Sequence, residues 1–303
     1  MQPDSRPRRR LLAALLALPV LSRAQQPATL LTRAIPSSGE QLPVVGLGSW
    51  ITFNVGRDDA ARAGCAQVMR QFFAGGGRMI DSSPMYGSAQ DVIGEAVQKL
   101  RPARLFAADK LWTGAGEQGP GQAEASRRLW RVPRFDLLQV HNLLAWEAHL
   151  PMLLRMKREG RLRYVGITTS EGRRHADVLK IMASQPIDFV QVSYNALDRE
   201  VEARILPLAS DRRIGVIVNR PFRQGELTQA LAGKRLPGWA AEIGCTSWAQ
   251  VLLKFIVAHP AVTCAIPATT SVAHVRENML AATGPLPDEA LRRRIIADVE
   301  RLA

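Results

Sequence analysis

The chain has 303 residues, 47% of them apolar and 22% charged, with a formal charge of +13 at pH 7. A chain of that size and apolar content buries a sizeable core, and barrels of this length commonly form one domain. Cys65, Cys245 and Cys264 are isolated from one another, which excludes a closely spaced metal site and a disulfide framework.

Positions 1–24 have the order of a targeting segment. The basic run Arg8, Arg9, Arg10 precedes the apolar stretch from Leu11 to Leu21, and Ser22-Arg23-Ala24 forms a small-x-small cleavage site. Paired arginines ahead of the apolar region resemble a twin-arginine signal, with Pro7 where that pattern has Ser or Thr, so the general secretion route stays open. The expectation is a leader cleaved near Ala24 and a soluble, exported (periplasmic) mature chain over 25–303. The apolar stretch is shorter than the ~20 residues that span a bilayer, and no cysteine follows it to carry a lipid, so no stable membrane anchor is expected. The leader holds five arginines against Asp4, so the mature chain keeps about +9 of the formal charge. Its arginines, among them Arg127, Arg128, Arg173, Arg212 and Arg213, are scattered through predicted helices without interleaved aromatics, which argues against a nucleic-acid surface.

From residue 28 onward short apolar strands alternate with amphipathic helical stretches. The first elements, Thr29–Arg33 and Gln41–Val44, flank the turn-rich Ile35-Pro36-Ser37-Ser38-Gly39 and suit a hairpin plugging the bottom of a barrel. Eight strand candidates follow in order: Val44–Leu47, Arg78–Asp81, Leu105–Lys110, Phe135–Val140, Tyr164–Ile167, Phe189–Val192, Gly215–Val218 and Thr263–Ile266. Helical segments separate them, so the pattern predicts an α/β fold, a (β/α)8 TIM barrel. The stretch from about Arg220 to Gly244 is a long, Gly-containing loop after the seventh of these strands, and loops at strand carboxyl ends are where barrels hold their sites.

Four polar residues fall at or just after consecutive strand ends. Asp81 ends the second strand and Tyr86 follows in its loop, Lys110 ends the third, and His141 follows the fourth. Each has a plain structural role open to it: a helix cap, a packing phenol, a rim charge, a hydrogen-bonded imidazole. Their succession on three neighbouring strands is what those roles do not predict. A phenol titrates near 10, too high to donate a proton readily at neutral pH, and a neighbouring ammonium lowers that value. Lys110 can supply the ammonium, Asp81 can keep it charged, and His141 can hydrogen-bond and orient a substrate carbonyl.

With Asp81 and Tyr86 in Ile-Asp-Ser-Ser-Pro-Met-Tyr-Gly, Lys110 in Asp-Lys-Leu-Trp and His141 in Asp-Leu-Leu-Gln-Val-His, the chain resembles the aldo-keto reductase family. Gly46-Leu47-Gly48-Ser49-Trp50, Phe189 through Asn195, and Ile266-Pro267 through Glu277-Asn278 extend the resemblance over essentially the whole mature chain. It implies a nicotinamide-dependent oxidoreductase that reduces an aldehyde or ketone, with NADP(H) favoured over NAD(H) and no metal. It further implies that Thr168 and Thr169 stand where the family has Ser-Asn against the carboxamide, with Gln191 as their partner. Pro221, Phe222, Gly225 and Leu227 resemble the pyrophosphate loop, and Thr269, Ser271, His274, Glu277 and Asn278 occupy the adenosine end. Trp50, Met85 and Trp112 are the expected substrate walls.

Three departures stand out. Asn219 replaces the aromatic ring that usually stacks on the nicotinamide. Ala268 and His274 replace the Lys and Arg that face the 2′-phosphate in many relatives. Asp109 replaces a small residue beside Lys110, on the opposite face of its strand by alternation. The absent aromatic and the presumed export keep a second expectation open: a nucleotide-binding regulatory or redox-partner protein on the same barrel, with little turnover. The expected partner is otherwise a small carbonyl substrate, and the expected state a monomer.

Overall fold

In a computed structural model describing residues 29–303, the chain opens with an antiparallel hairpin, β1 (Thr32–Ala34) and β2 (Gln41–Pro43). The leader expected at 1–24 lies outside the described residues. Eight parallel strands follow: β3 (Leu47–Gly48), β4 (Met79–Asp81), β5 (Phe106–Leu111), β6 (Phe135–Val140), β7 (Leu162–Thr168), β8 (Phe189–Ser193), β9 (Gly215–Asn219) and β10 (Val262–Ala265). Each pairs with the next in sequence, and β3 meets β10 through the backbone bonds Gly46 N to Ala265 O (2.8 Å) and Gly48 N to Pro267 O (3.0 Å). That seam requires Gly48, because a Cβ there would come 2.8 Å from the Ile266 carbonyl oxygen. The predicted barrel is therefore present, and each predicted strand overlaps an observed one. The first is the most shifted: only its end joins β3, while Val45 makes an isolated bridge to Ala265.

Helices α1 (Asp59–Ala74), α2 (Ala89–Leu100), α3 (Gly119–Trp130), α4 (Trp146–Arg158), α5 (His175–Ser184) and α6 (Val201–Asp211) fill the successive crossovers. The short α7 (Glu226–Ala230), then α8 (Trp248–Val257), α9 (Val272–Leu280) and α10 (Glu289–Leu302) complete the chain. Sequence sets several of their boundaries. Asp58, Ser247, Ser271 and Asp288 cap α1, α8, α9 and α10 by accepting a first-turn backbone N–H, each worth about 1 kcal/mol.

Strand alternation divides the core in two. Outward residues such as Ala107, Leu138, Val140, Val165, Val190 and Val216 pack against the helices, while Phe106, Leu137, Tyr164, Phe189 and Ile217 face inward. Ile35 and Leu42 of the hairpin join the inward cluster, so the hairpin does plug the barrel. Two residues further along on β4, β6, β8 and β9 the same inner face turns polar: Asp81 after Met79, Gln139 after Leu137, Gln191 after Phe189 and Asn219 after Ile217, with Lys110 following Ala108 on β5. The carboxyl end of the barrel is thus a polar layer resting on an apolar one.

The long loop after β9 is not slack. It contains α7 and a helical turn at Gly238–Ala241, and it buries Leu227, Leu231, Trp239 and Ile243. The buried Lys254 ammonium of α8 donates to the carbonyls of Ile243 (2.6 Å), Thr283 (2.7 Å) and Pro285 (2.9 Å), which ties the loop to the segment that leads into α10. Cys65, Cys245 and Cys264 are buried free thiols.

Candidate active site

Asp81, Lys110, Tyr86 and His141 converge at the carboxyl end of the barrel. Lys110, 1% exposed, donates from Nζ to Oδ2 of Asp81 and to the carbonyl of Ser82 at 2.8 Å. Burial works against the ammonium, but the Asp81 carboxylate, with smaller help from Tyr86, outweighs it and raises the Lys110 pKa. Oδ1 of Asp81 accepts from Gln191 Nε2 (3.0 Å) and Gln139 Nε2 (3.2 Å). Lys110 Nζ lies 5.2 Å from the centre of the Tyr86 ring, and the Tyr86 and His141 rings meet edge to face at 5.7 Å.

The phenol departs from the sequence expectation in one respect. Lys110 does pull its pKa down, but burial is the larger influence, and the net direction is upward. Tyr86 is therefore held as the protonated phenol at neutral pH, the form a proton donor must start from.

His141 is 5% exposed, and burial followed by the Lys110 charge lowers its pKa to about 3, so the ring is neutral. Ser83 Oγ accepts from the Met85 amide at 3.2 Å and lies 2.8 Å from His141 Nδ1. In the tautomer where the Ser83 hydroxyl donates to Nδ1, the imidazole hydrogen sits on Nε2 and leaves a donor free.

Asp109 behaves as alternation predicts. It points away from the barrel interior, accepts from Gln90 Nε2 at 2.6 Å, and is raised to about 7 by burial.

A cavity of about 720 Å3 opens above these groups, within the range of small-molecule sites. Its lining includes Trp50, Ile51, Met85, Tyr86 and His141, together with Thr168, Gln191, Asn219, Pro221, Phe222, Gly225, Thr269, His274, Glu277 and Asn278. Ala268 lies in the same lining, as do the cations Arg173, Arg220 and Lys234. Neutral amides and hydroxyls, with guanidinium and ammonium groups on the loops after β7 and β9, suit a ligand with a carboxamide head and a phosphate chain.

Lys110 lies beneath the lining, and four of the expected cofactor and substrate positions do not line this cavity. Trp112 stays 43% exposed outside it, its backbone fixed to the Gln122 side chain. Thr169 turns its hydroxyl to the Arg173 carbonyl, Leu227 is buried in the core, and Ser271 is spent as the cap of α9. Asn219 lies in the lining but is already bonded: its Nδ2 donates to Thr169 O (2.9 Å) and its Oδ1 accepts from Ser193 Oγ (2.6 Å).

Sequence reasoning missed the bridge between two cavity loops, where Arg220 meets Glu171 at 2.8 Å and Arg173 meets the same carboxylate at 3.1 Å. It also missed Ile51, whose φ of +63° is strained for a β-branched residue. The Thr52 N to Trp50 O bond of 2.7 Å closes a tight turn about Ile51, which leaves its side chain at the cavity mouth. A lone isoleucine after a tryptophan gives no sequence signal for that.

An eight-stranded parallel barrel with an ion-paired lysine beneath a tyrosine at its carboxyl end defines a class of barrel enzymes that handle protons within a buried polar layer. Residues 44–295 match the Aldo/keto reductase family, and the chain belongs to that family. It is 30% identical over 248 residues to the pyridoxine 4-dehydrogenase of Escherichia coli (strain K12), covering 74% of this chain and 83% of that one. The NADH-specific methylglyoxal reductase of the same organism is 24% identical over 230 residues, covering 65% and 68%. An aldo-keto reductase from Klebsiella pneumoniae, solved in complex with NADPH, superposes with a TM-score of 0.73 at 23% identity, covering 90% and 95% of the two chains.

Proposed function

We propose that this protein reduces an aldehyde or ketone to an alcohol with NADP(H). The observation that carries the reading is the Asp81–Lys110 pair beneath Tyr86, with a neutral His141 edge-on to the phenol. A nicotinamide cofactor, when bound, would supply the hydride for the carbonyl carbon. The Tyr86 phenol donates its proton to the carbonyl oxygen. Lys110 stabilises the phenolate left behind, and Asp81 keeps Lys110 charged. The His141 Nε2–H holds the carbonyl oxygen in place. Thr168 and Gln191 would hold the carboxamide end, beside Asn219 fixed by its own bonds, Pro221, Phe222 and Gly225 would border the phosphates, and Thr269, His274, Glu277 and Asn278 would take the adenosine end. The similar Klebsiella pneumoniae barrel, solved in complex with NADPH, supports the phosphorylated cofactor. Trp50, Ile51 and Met85 give the substrate side an apolar wall, which favours carbonyl compounds with an apolar substituent.

Tyr86→Phe tests this. It deletes one oxygen and little volume, so cofactor affinity and melting temperature stay put while the reduction rate falls by ~10²–10⁴. An undiminished rate at saturating cofactor, on a carbonyl compound that the unmodified protein demonstrably reduces, sinks the assignment and favours a nucleotide-binding role with little turnover.

We further propose that residues 1–24 direct export, by a twin-arginine-like route, and that the barrel domain from residue 25 works outside the cytoplasm. The basic, apolar and small-residue order supports this. Amino-terminal sequencing of the protein from its native cell should find a start near Gln25. A cytosolic form retaining Arg8 and Arg9 removes the proposal.

A further inference from the structure

Gln139 sits on the inner face of β6, level with Lys110 on β5 and Gly166 on β7, and is 0% exposed. Its one side-chain hydrogen bond runs from Nε2 to Asp81 Oδ1 at 3.2 Å, and its Oε1 has no partner. A buried acceptor without a donor carries an uncompensated desolvation penalty that Leu or Met at this position would avoid. Turning the amide over would set Oε1 against the carboxylate. Gly166 makes the room: a Cβ there would come 3.0 Å from Gln139 Cγ. The other amide on the same oxygen, Gln191, is placed differently, because it lines the cavity and shares its Oε1 with Asn219 Nδ2 at 3.4 Å. A bound ligand can draw Gln191 away from Asp81, whereas Gln139 lies outside the cavity lining.

We infer that Gln139 is a positioning residue for the reduction, fixing Oδ1 of Asp81 so that Oδ2 stays aimed at the Lys110 ammonium. The inference rests on the reading of Tyr86 and Lys110 given above. Without the amide, the Asp81 carboxylate can rotate about its own side-chain bond and the ammonium loses its fixed place under the phenol. The ionisable groups around Gln139 are Asp81 on β4, Lys110 on β5, His141 two residues along β6, and Tyr86 in the loop after β4. The facing positions of β7 and β8, Gly166, Thr168 and Gln191, are uncharged, and Cys264 on β10 is a thiol whose pKa burial pushes up.

The test compares kcat, KM, cofactor affinity and melting temperature for Gln139→Leu and Gln139→Glu from acid to mildly alkaline pH, beside Tyr86→Phe. Gln139→Leu should lower kcat about ten- to a hundredfold at every pH, the loss of one hydrogen bond to a charged group, with KM and cofactor affinity held. Gln139→Glu should separate the two forms of its carboxyl. Protonated, it donates to Oδ1 as the amide does, and kcat approaches that of the unmodified protein. Ionised, it repels Asp81, and kcat falls to the Gln139→Leu level as pH rises. Because a carboxyl beside a buried carboxylate is harder to ionise, that step falls above the ordinary carboxylate range. An unaltered kcat in Gln139→Leu overturns the inference. So does an equal loss at all pH values in Gln139→Glu, which marks a packing role. A Tyr86→Phe variant as active as the unmodified protein removes the underlying reading, and the inference with it.

Discussion

Asp81→Asn is the sharpest perturbation of the site, because it keeps the shape and removes the charge that holds Lys110. At 1% exposure the ammonium would retain only the Ser82 carbonyl and a neutral amide. Removing one partner of a buried pair costs about 3–5 kcal/mol, a large share of the ~5–15 kcal/mol that holds a typical domain together. At roughly 2–4 °C per kcal/mol for a chain of this size, the melting temperature should fall by ~6–20 °C at pH 6. The slope with pH is the more diagnostic result. In the unmodified protein the folded Lys110 pKa is raised, so its contribution is complete below the ordinary lysine value and is lost only as pH rises through the raised one. In Asp81→Asn burial, the largest influence on Lys110, is opposed only by the smaller ones of Tyr86 and Asp109, and the folded value drops below the unfolded one. Between the two the unfolded chain binds a proton that the folded chain lacks, and stability rises with pH by up to ~1.4 kcal/mol per unit. The double variant Asp81→Leu with Lys110→Met should recover part of the loss while staying inactive. Thermal melts from pH 6 to 9 decide it. If Asp81→Asn melts within 2 °C of the unmodified protein, with the same pH slope, the buried pair does not carry the charge argument.

Two further outcomes follow from the same geometry. His141, held at about 3, stays neutral in the fold while an unfolded histidine charges near 6.5, so stability should decline as pH falls from 6.5 toward 3. His141→Gln should remove that part of the slope, and an imidazole seen by nitrogen NMR to titrate near 6.5 in the folded protein would contradict the assignment. At the adenosine end Ala268 offers no cation, so discrimination for NADPH over NADH should fall short of about a thousandfold, ~4 kcal/mol. Ala268→Lys should tighten NADPH by about tenfold and leave NADH unchanged, since one charge-assisted bond to phosphate at an exposed rim is added. Fluorescence titration with both nucleotides checks this, and equal changes for the two would place the phosphate elsewhere.

Much of this was legible in the residue order. Alternating strand and helix patterns, counted to eight, sufficed for the barrel, and the turn at Pro36–Gly39 for its plug, because those signals are local and each strand pairs with its sequence neighbour. Asp81, Tyr86, Lys110 and His141 stood out because strand ends in such a barrel share one rim, which topology alone guarantees. The rest required three dimensions. Which side chains share a layer depends on the stagger of a closed sheet, so Gln139 was one more glutamine until register set it beside Lys110 and Asp81. Trp112 and Thr169 sit where a strand-end pattern expects cavity walls, yet local bonds to Gln122 and to the Arg173 carbonyl turn them aside. The direction of the Tyr86 shift was equally out of reach. A neighbouring charge can be read from sequence, but desolvation is summed over everything that surrounds the group, and only the folded chain brings that surrounding together.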